Sequence, residues 1–157
     1  MTGQPLIRPA TVADVAAIED VVKTAYTRYV SRIGREPAPM TVDYRTVVAA
    51  TEQAWVLIDG GELVGLIVTI VESDHLLIEN VAISPAAQGR GYGRLLLGYA
   101  EQLAQERGLP QTRLYTNAAM TENLAFYPRM GYVEVARRSQ DGFDRVFFVK
   151  DVGAKPR

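Results

Sequence analysis

The sequence predicts a single α/β domain built around one mixed β-sheet. Three observations carry that reading. Apolar runs rich in β-branched residues alternate with segments whose apolar residues recur every three or four positions. Clusters of Gly, Pro, Asp and Ser separate the two kinds of segment. The length, 157 residues, suits one hydrophobic core. The domain is expected to cover residues 1–150, with 151–157 a frayed tail.

Leu6-Ile7-Arg8 reads as a first strand, closed by Pro9. Thr11 followed by Asp14 is a capping box, and Val15, Ile18, Val22, Ala25, Tyr29 and Ile33 then mark one face of a long helix. Gly34, Pro37 and Pro39 break it, and a shorter helix is expected from Asp43 to about Glu52. Trp55 to Ile58 is a strand ending in the turn Asp59-Gly60-Gly61. Leu63 to Val71 is almost wholly apolar, as a strand buried on both faces should be. After the turn Glu72-Ser73-Asp74 comes a third strand, His75 to Ser84, stopped by Pro85. A helix from about Gly91 to Arg107 is expected to bury Leu96, Tyr99 and Leu103, with Leu95 alongside. Gly108 and Pro110 end it. Thr112 to Thr116 is a strand, Thr121 caps a short helix reaching Met130, and Gly131 stops it. Val133–Arg138 and Arg145–Val149 form a last hairpin across Gln140-Asp141-Gly142.

Composition narrows the function. Apolar content of 48% and charged content of 22% describe an ordinary globular balance. A net charge of -1 argues against a nucleic-acid partner. With no cysteine there is no disulfide, thiolate metal site or cysteine nucleophile. The single histidine, His75, makes a histidine-built metal centre unexpected, and no metal is expected. The apolar runs are too short for a bilayer and the first residues lack a secretion pattern, so a cytoplasmic protein without a membrane partner is expected.

The stretch Gln88-Gly89-Arg90-Gly91-Tyr92-Gly93-Arg94 stands between a strand and a helix. A helix N-terminus offers unpaired N–H groups and the positive end of a dipole, so it attracts phosphate. Glycines allow positive φ and close backbone approach, and Arg90 and Arg94 add charge. The bland alternative is a tight strand-to-helix turn. A dinucleotide fingerprint needs a glycine where Arg94 or Leu96 stands, and a P-loop needs Gly-Lys-Ser/Thr where the chain has Gly93-Arg94-Leu95.

Gln88 to Gly93 matches instead the pattern Arg/Gln-x-x-Gly-x-Gly/Ala, and it follows the strand end Val81-Ala82-Ile83-Ser84-Pro85. This resembles the acetyl-CoA-binding motif of the GNAT superfamily of acyltransferases. A second run, Asn117 to Tyr127 and on to Met130-Gly131-Tyr132, is similar to that family's Asn-x-x-Ala-x-x-x-Tyr-x-x-x-Gly-Phe/Tyr signature. Pro128 departs from the usual lysine or glutamate. The resemblance covers nearly the whole chain. It implies a mostly antiparallel sheet of about seven strands with about four flanking helices. The two splayed central strands would be His75–Ser84 and Thr112–Thr116.

The resemblance also implies acetyl-CoA as acetyl donor. Val81, Ala82 and Ile83 would pair with the pantetheine arm like an added strand. Gln88, Gly89, Arg90, Gly91, Tyr92, Gly93 and Arg94 would hold the pyrophosphate. Asn117 and Asn123 would meet the pantetheine amides. Tyr127 matches the family's general acid; a tyrosine hydroxyl titrates at about 10 in short peptides, so it holds its proton at neutral pH. An N–H near Val81 would serve the oxyanion. Glu79 is the candidate base: it shares strand parity with Val81 and Ile83 and is a lone carboxylate in an apolar run. The alternative for Glu79 is a sheet-face glutamate paired with an arginine or with water, and for Tyr127 simple packing.

The acceptor is expected to be a primary amine on a small molecule or peptide. Arg32 to Met40, with Tyr26, Tyr29 and Tyr44, would line its side, and Arg32 and Arg35 are candidates for an acceptor carboxylate. A CoA-binding sensor or assembly module without turnover is the competing class, and a homodimer through the last hairpin is compatible with either.

Overall fold

The computed structural model describes residues 4–50 and 53–153. Its strands are β1 (Leu6–Pro9), β2 (Ala54–Asp59), β3 (Glu62–Val71), β4 (Leu76–Ile83), β5 (Gln111–Asn117), β6 (Val133–Gln140) and β7 (Phe143–Asp151). Its α-helices are α1 (Val15–Ile33), α2 (Tyr44–Ala49), α3 (Tyr92–Glu106) and α4 (Thr121–Arg129). The strands form one mixed sheet in the order β1-β2-β3-β4-β5-β7-β6. Strand β4 pairs with β5 in parallel, while β1 with β2, β2 with β3, β5 with β7 and β6 with β7 are antiparallel.

Two compact units make up the chain. One gathers the chain up to Thr69 with Asn80–Leu96; the other gathers Ile70–Glu79 with the chain from Leu97 onward.

In the first unit, Asp14 sets the start of α1. Its carboxylate accepts the Thr11 N–H at 2.7 Å and is gripped by Arg8 at 2.8 and 2.9 Å. The Arg8 guanidinium, more than the Thr11 bonds, pulls the Asp14 carboxyl down to about 2. The expected capping pair is therefore present, reinforced by a strand residue. Val15, Ile18, Val21, Val22, Ala25, Tyr26 and Tyr29 are buried along α1. Strand β3 is buried from Val64 to Thr69, as its unbroken apolar run predicts. Gly65 is required there: a Cβ would lie 3.1 Å from Ile83 Cδ1 and 3.3 Å from both Leu57 Cβ and Leu96 Cδ1.

The second helix is shorter than its sequence suggests. Asp43 caps it, accepting from the Arg45 N–H at 3.1 Å, and it ends at Ala49. Its expected end at Glu52 lies outside the described residues.

In the second unit, one face of β5 and β7 carries the buried residues Thr112, Leu114, Thr116, Val146 and Phe148. Tyr132 binds Thr112 Oγ1 at 2.8 Å and Glu101 Oε2 at 3.2 Å, and Lys150 bridges Glu101 Oε1 and the Met130 carbonyl at 2.9 Å each. Burial pushes the Tyr132 hydroxyl strongly upward, so it stays a donor. The hairpin is longer than expected, reaching Gln140 and starting again at Phe143 across Asp141-Gly142. Positive φ at both turn residues, 54° and 79°, gives the tight turn that suits twisted strands.

Three expectations need correction. The buried stripe of α3 is Leu96, Leu97, Ala100 and Ala104, while Leu95 is 45% exposed and Tyr99 and Leu103 are half-buried. The small alanines, which a count of large apolar residues undervalues, are the ones that allow close helix packing. Thr121 does not cap α4: Met120 holds the cap position, and its carbonyl accepts from Asn123 and Leu124 at 2.9 and 3.4 Å. Ordered chain also continues beyond 150, since Asp151 ends β7, the Val152 N–H donates to the Pro110 carbonyl at 2.9 Å, and Gln105 donates to the Val152 carbonyl at 2.7 Å. Residues 154–157 lie outside the described residues.

Candidate active site

Pairing of β4 with β5 runs from Leu76–Thr112 to Ile78–Leu114 and stops there, although β4 continues to Ile83 and β5 to Asn117. Along β4, burial alternates strictly: Leu76, Ile78, Asn80 and Ala82 are buried, and Leu77, Glu79, Val81 and Ile83 are half-buried. Glu79 therefore shares a face with Val81 and Ile83, and Ala82 turns to the opposite one.

In the first unit, Gly89 and Gly91 adopt φ of 83° and 80°, and a Cβ on either would meet nothing within 4 Å. Gln88, Gly89, Arg90, Gly91 and Arg94 are exposed. Helix α3 begins at Tyr92, and the Leu95 N–H to Gly91 carbonyl bond, 3.2 Å, is the one that closes its first turn. From Gly89 through Arg94 no backbone N–H has an acceptor among the described residues. These donors lie at the head of a 15-residue helix. Tyr92 secures the loop from below: its side chain is buried and its hydroxyl donates to Asp59 Oδ2, a carboxylate that raises the phenol above its ordinary value. Its side chain is thereby committed to Asp59, and what Tyr92 and Gly93 leave open in the first turn is the backbone N–H of each.

The carbonyls of the β4 end are partly engaged. Tyr26 Oη lies 3.0 Å from the Val81 carbonyl and 2.6 Å from Asn80 Oδ1, and Gln88 Nε2 donates to the Ile83 carbonyl at 3.4 Å. Each carbonyl has a second lone pair, so the strand edge keeps acceptor capacity.

Asn80 is the site residue that the sequence reading passes over. It is buried, accepts from Tyr26, and donates at 3.0 Å to Tyr44 Oη, which in turn donates to the Pro39 carbonyl at 2.6 Å. The network ties α1, the Pro37–Val42 connection and α2 to β4. Its one sequence signal is an amide at a buried parity position, a group that must find partners.

In the second unit, Tyr127 is 8% exposed and packs edge-on against Tyr132 at 6.0 Å and Phe126 at 5.4 Å, with Phe148 at 5.7 Å. The Tyr132 N–H returns to the Tyr127 carbonyl at 3.1 Å, so Gly131-Tyr132 closes α4 beneath it. The two asparagines have local partners. Asn117 Oδ1 accepts the Ala119 N–H at 2.9 Å, and Asn123 Nδ2 donates to Thr116 Oγ1 at 3.0 Å. Both hold the β5–α4 connection, and each retains the other end of its amide. His75 bonds Asp74 at 2.7 Å at the start of β4.

A model of the acetyltransferase (GNAT) family matches residues 16–132. The chain belongs to this family. It is an acyltransferase, and enzymes of the family draw on acetyl-CoA. An uncharacterized N-acetyltransferase of Escherichia coli, YjgM, is 27% identical over 139 residues, covering 83% of both chains. The uncharacterized protein YxbD of Bacillus subtilis is 35% identical over 74 residues, 47% of this chain and 45% of that one. The PaiA N-acetyltransferase of Thermoplasma acidophilum, solved with coenzyme A, shares the fold with a TM-score of 0.78 at 15% identity, over 95% of this chain and 99% of that one. Among the described residues no cluster of three or more His, Cys, Asp or Glu could hold a metal, and no helix is long and apolar enough to cross a membrane.

Proposed function

We propose that this acyltransferase binds acetyl-CoA and transfers the acetyl group directly to a primary amine. One observation carries the reading: the N–H groups from Gly89 to Arg94, at the head of α3, lack acceptors among the described residues. Open space at Gly89 and Gly91 suits a pyrophosphate lying against the backbone. Arg90 and Arg94 supply charge to its rim. Val81 and Ile83 offer the strand edge for pantetheine, and Asn117 and Asn123 their remaining amide groups.

Acetyl-CoA supplies an activated acyl group with a thiolate as leaving group. Glu79, half-buried on the face of Val81 and Ile83, takes the proton that an ammonium must lose before it can attack. Tyr127 keeps its hydroxyl proton for the departing sulfur. The Val81 N–H is the donor for the developing oxyanion. Transfer needs no acyl-cysteine, and the chain has no cysteine.

The test is thiol release from acetyl-CoA with a panel of amines. Tyr127→Phe should lower turnover about 10²- to 10⁴-fold and leave acetyl-CoA affinity within a few-fold. Glu79→Gln should remove one limb of the pH profile and leave acetyl-CoA binding nearly intact. Wild-type kinetics in both variants would reduce both side chains to structural roles; no binding of acetyl-CoA by the wild type would sink the donor assignment.

A further inference from the structure

The hairpin places two arginines face to face. In the β6–β7 register Arg138 stands directly opposite Arg145, so both side chains leave the same face of the sheet. Like charges directly opposite each other destabilise a strand pair. Both guanidiniums nevertheless lie over aromatic rings. Arg138 Cζ is 3.9 Å from the Phe147 ring centre, and Arg145 Cζ is 4.3 Å from that of Tyr115 and 5.5 Å from that of Phe143. Tyr115 and Phe147 pack together at 5.7 Å.

Arg145 is only 7% exposed. Its Nη1 donates to Gln140 Oε1 at 2.9 Å and to Asp141 Oδ2 at 3.3 Å. The Asp141 side chain is 77% exposed, so its charge is heavily screened. The Nε–Nη2 edge of Arg145 has no acceptor among the described residues, and Arg138 has no hydrogen bond or ion pair among them. A buried cation so weakly balanced is unfavourable unless an anion joins it. The same face carries the candidate base. Leu77 pairs with Arg113, which puts Leu77 and Glu79 on the side of Tyr115, and Tyr115 pairs with Phe147. Burial chiefly raises the Tyr115 hydroxyl; Arg145 opposes that shift and Glu79 adds to it, so both charges reach this ring.

We propose that Arg138 and Arg145 form an anion site on this face that receives a carboxylate carried by the acceptor amine. The inference rests on the acetyl-transfer reading and narrows its substrate class to amino acids and short peptides. The Nε–Nη2 edge of Arg145 is the fork that takes a carboxylate through two parallel hydrogen bonds, and Arg138 closes on it from the neighbouring strand. The aromatic rings hold both guanidiniums in place, and they give an apolar substrate side chain a surface to lie on. Arg32 and Arg35, the arginines the sequence suggests for this task, lie elsewhere in the chain; Arg32 stacks on Tyr29 at 5.1 Å.

The experiment compares free amino acids and dipeptides with their own carboxamides. It reads kcat/KM by thiol release and, independently of turnover, calorimetric affinity for N-acetylphenylalanine against its carboxamide. Carboxylate members should exceed their carboxamides about 10- to 100-fold in at least one readout. Arg138→Gln and Arg145→Gln should each bring that ratio close to one while acetyl-CoA affinity stays unchanged. Arg138 is exposed, so its variant keeps the test decisive even if Arg145→Gln fails to fold. A wild-type ratio near one, or a preference that survives both substitutions, overturns the anion site. A wild type that binds acetyl-CoA yet shows no carboxylate preference sinks this site alone, whereas absence of acetyl-CoA binding sinks the reading beneath it.

Discussion

Replacing Gly91 by valine tests the donor cradle with little interference from packing. At φ of 80° the valine backbone is strained, yet its Cβ would meet nothing within 4 Å. The cost is therefore conformational, roughly 1–2 kcal/mol for a β-branched residue held in the left-handed region. For a domain of this size each kcal/mol moves Tm by about 2–4 °C, so the free variant should melt roughly 2–8 °C lower and still cooperatively. Acetyl-CoA at about a hundred times its Kd should stabilise the wild type by about 2.7 kcal/mol, a rise of roughly 5–11 °C. In the variant the side chain stands where the pyrophosphate would lie, and relaxation of φ turns the Gly89–Arg94 donors away from one another. The rise should then fall below about 1 °C, and Gly89→Val, at φ of 83°, should behave the same way. The assay is a melting curve with and without acetyl-CoA, with circular dichroism to confirm the fold. If both variants keep the full rise, the open N–H groups are not the phosphate site and the glycines make only a tight connection into α3.

Thr69→Val should raise stability by about 1 kcal/mol, because Thr69 Oγ1 is buried with no partner among the described residues; a lower Tm would show that the hydroxyl is satisfied in solution. Gly65→Ala should cost about 1–3 kcal/mol in denaturant titrations, since Leu57 Cβ, 3.3 Å from the new methyl, cannot swing away; a neutral result would mean the strand shifts freely. Asp14→Asn should cost about 1 kcal/mol at pH 7, discounted for solvent at the half-exposed Arg8. The folded carboxyl lies at about 2, below its unfolded value, so that contribution is complete above about pH 4 and is lost as pH falls through 2. Unfolding curves of the two proteins should therefore converge towards pH 2, and a constant gap across the range would assign the effect to the cap geometry instead.

What the sequence made legible follows from how far apart interacting residues lie. The glycine cradle is contiguous, so spacing alone exposes its strand, loop and helix, and the positive φ at Gly89 and Gly91 follows from residue type. Glu79 and its face follow from a period of two along one strand. Helix faces were less legible where small residues carry the packing: Ala100 and Ala104 are fully buried, yet they weigh little in any hydrophobic pattern beside Leu95, which is exposed. Asn80 was illegible because its partners Tyr26 and Tyr44 lie 54 and 36 residues away, and nothing local says which hydroxyls will arrive. The arginine pair depends on register in the same way. Arg138 and Arg145 meet because Asp141-Gly142 makes a two-residue turn; a turn longer by one residue would put one arginine opposite the wrong face. On the proposed reading, the donor half of the reaction is written in local motifs, while the acceptor half is set by strand pairing. A shared local motif can therefore coexist with different acceptors, and altering the register of the last hairpin should change acceptor choice before it changes acetyl-CoA binding.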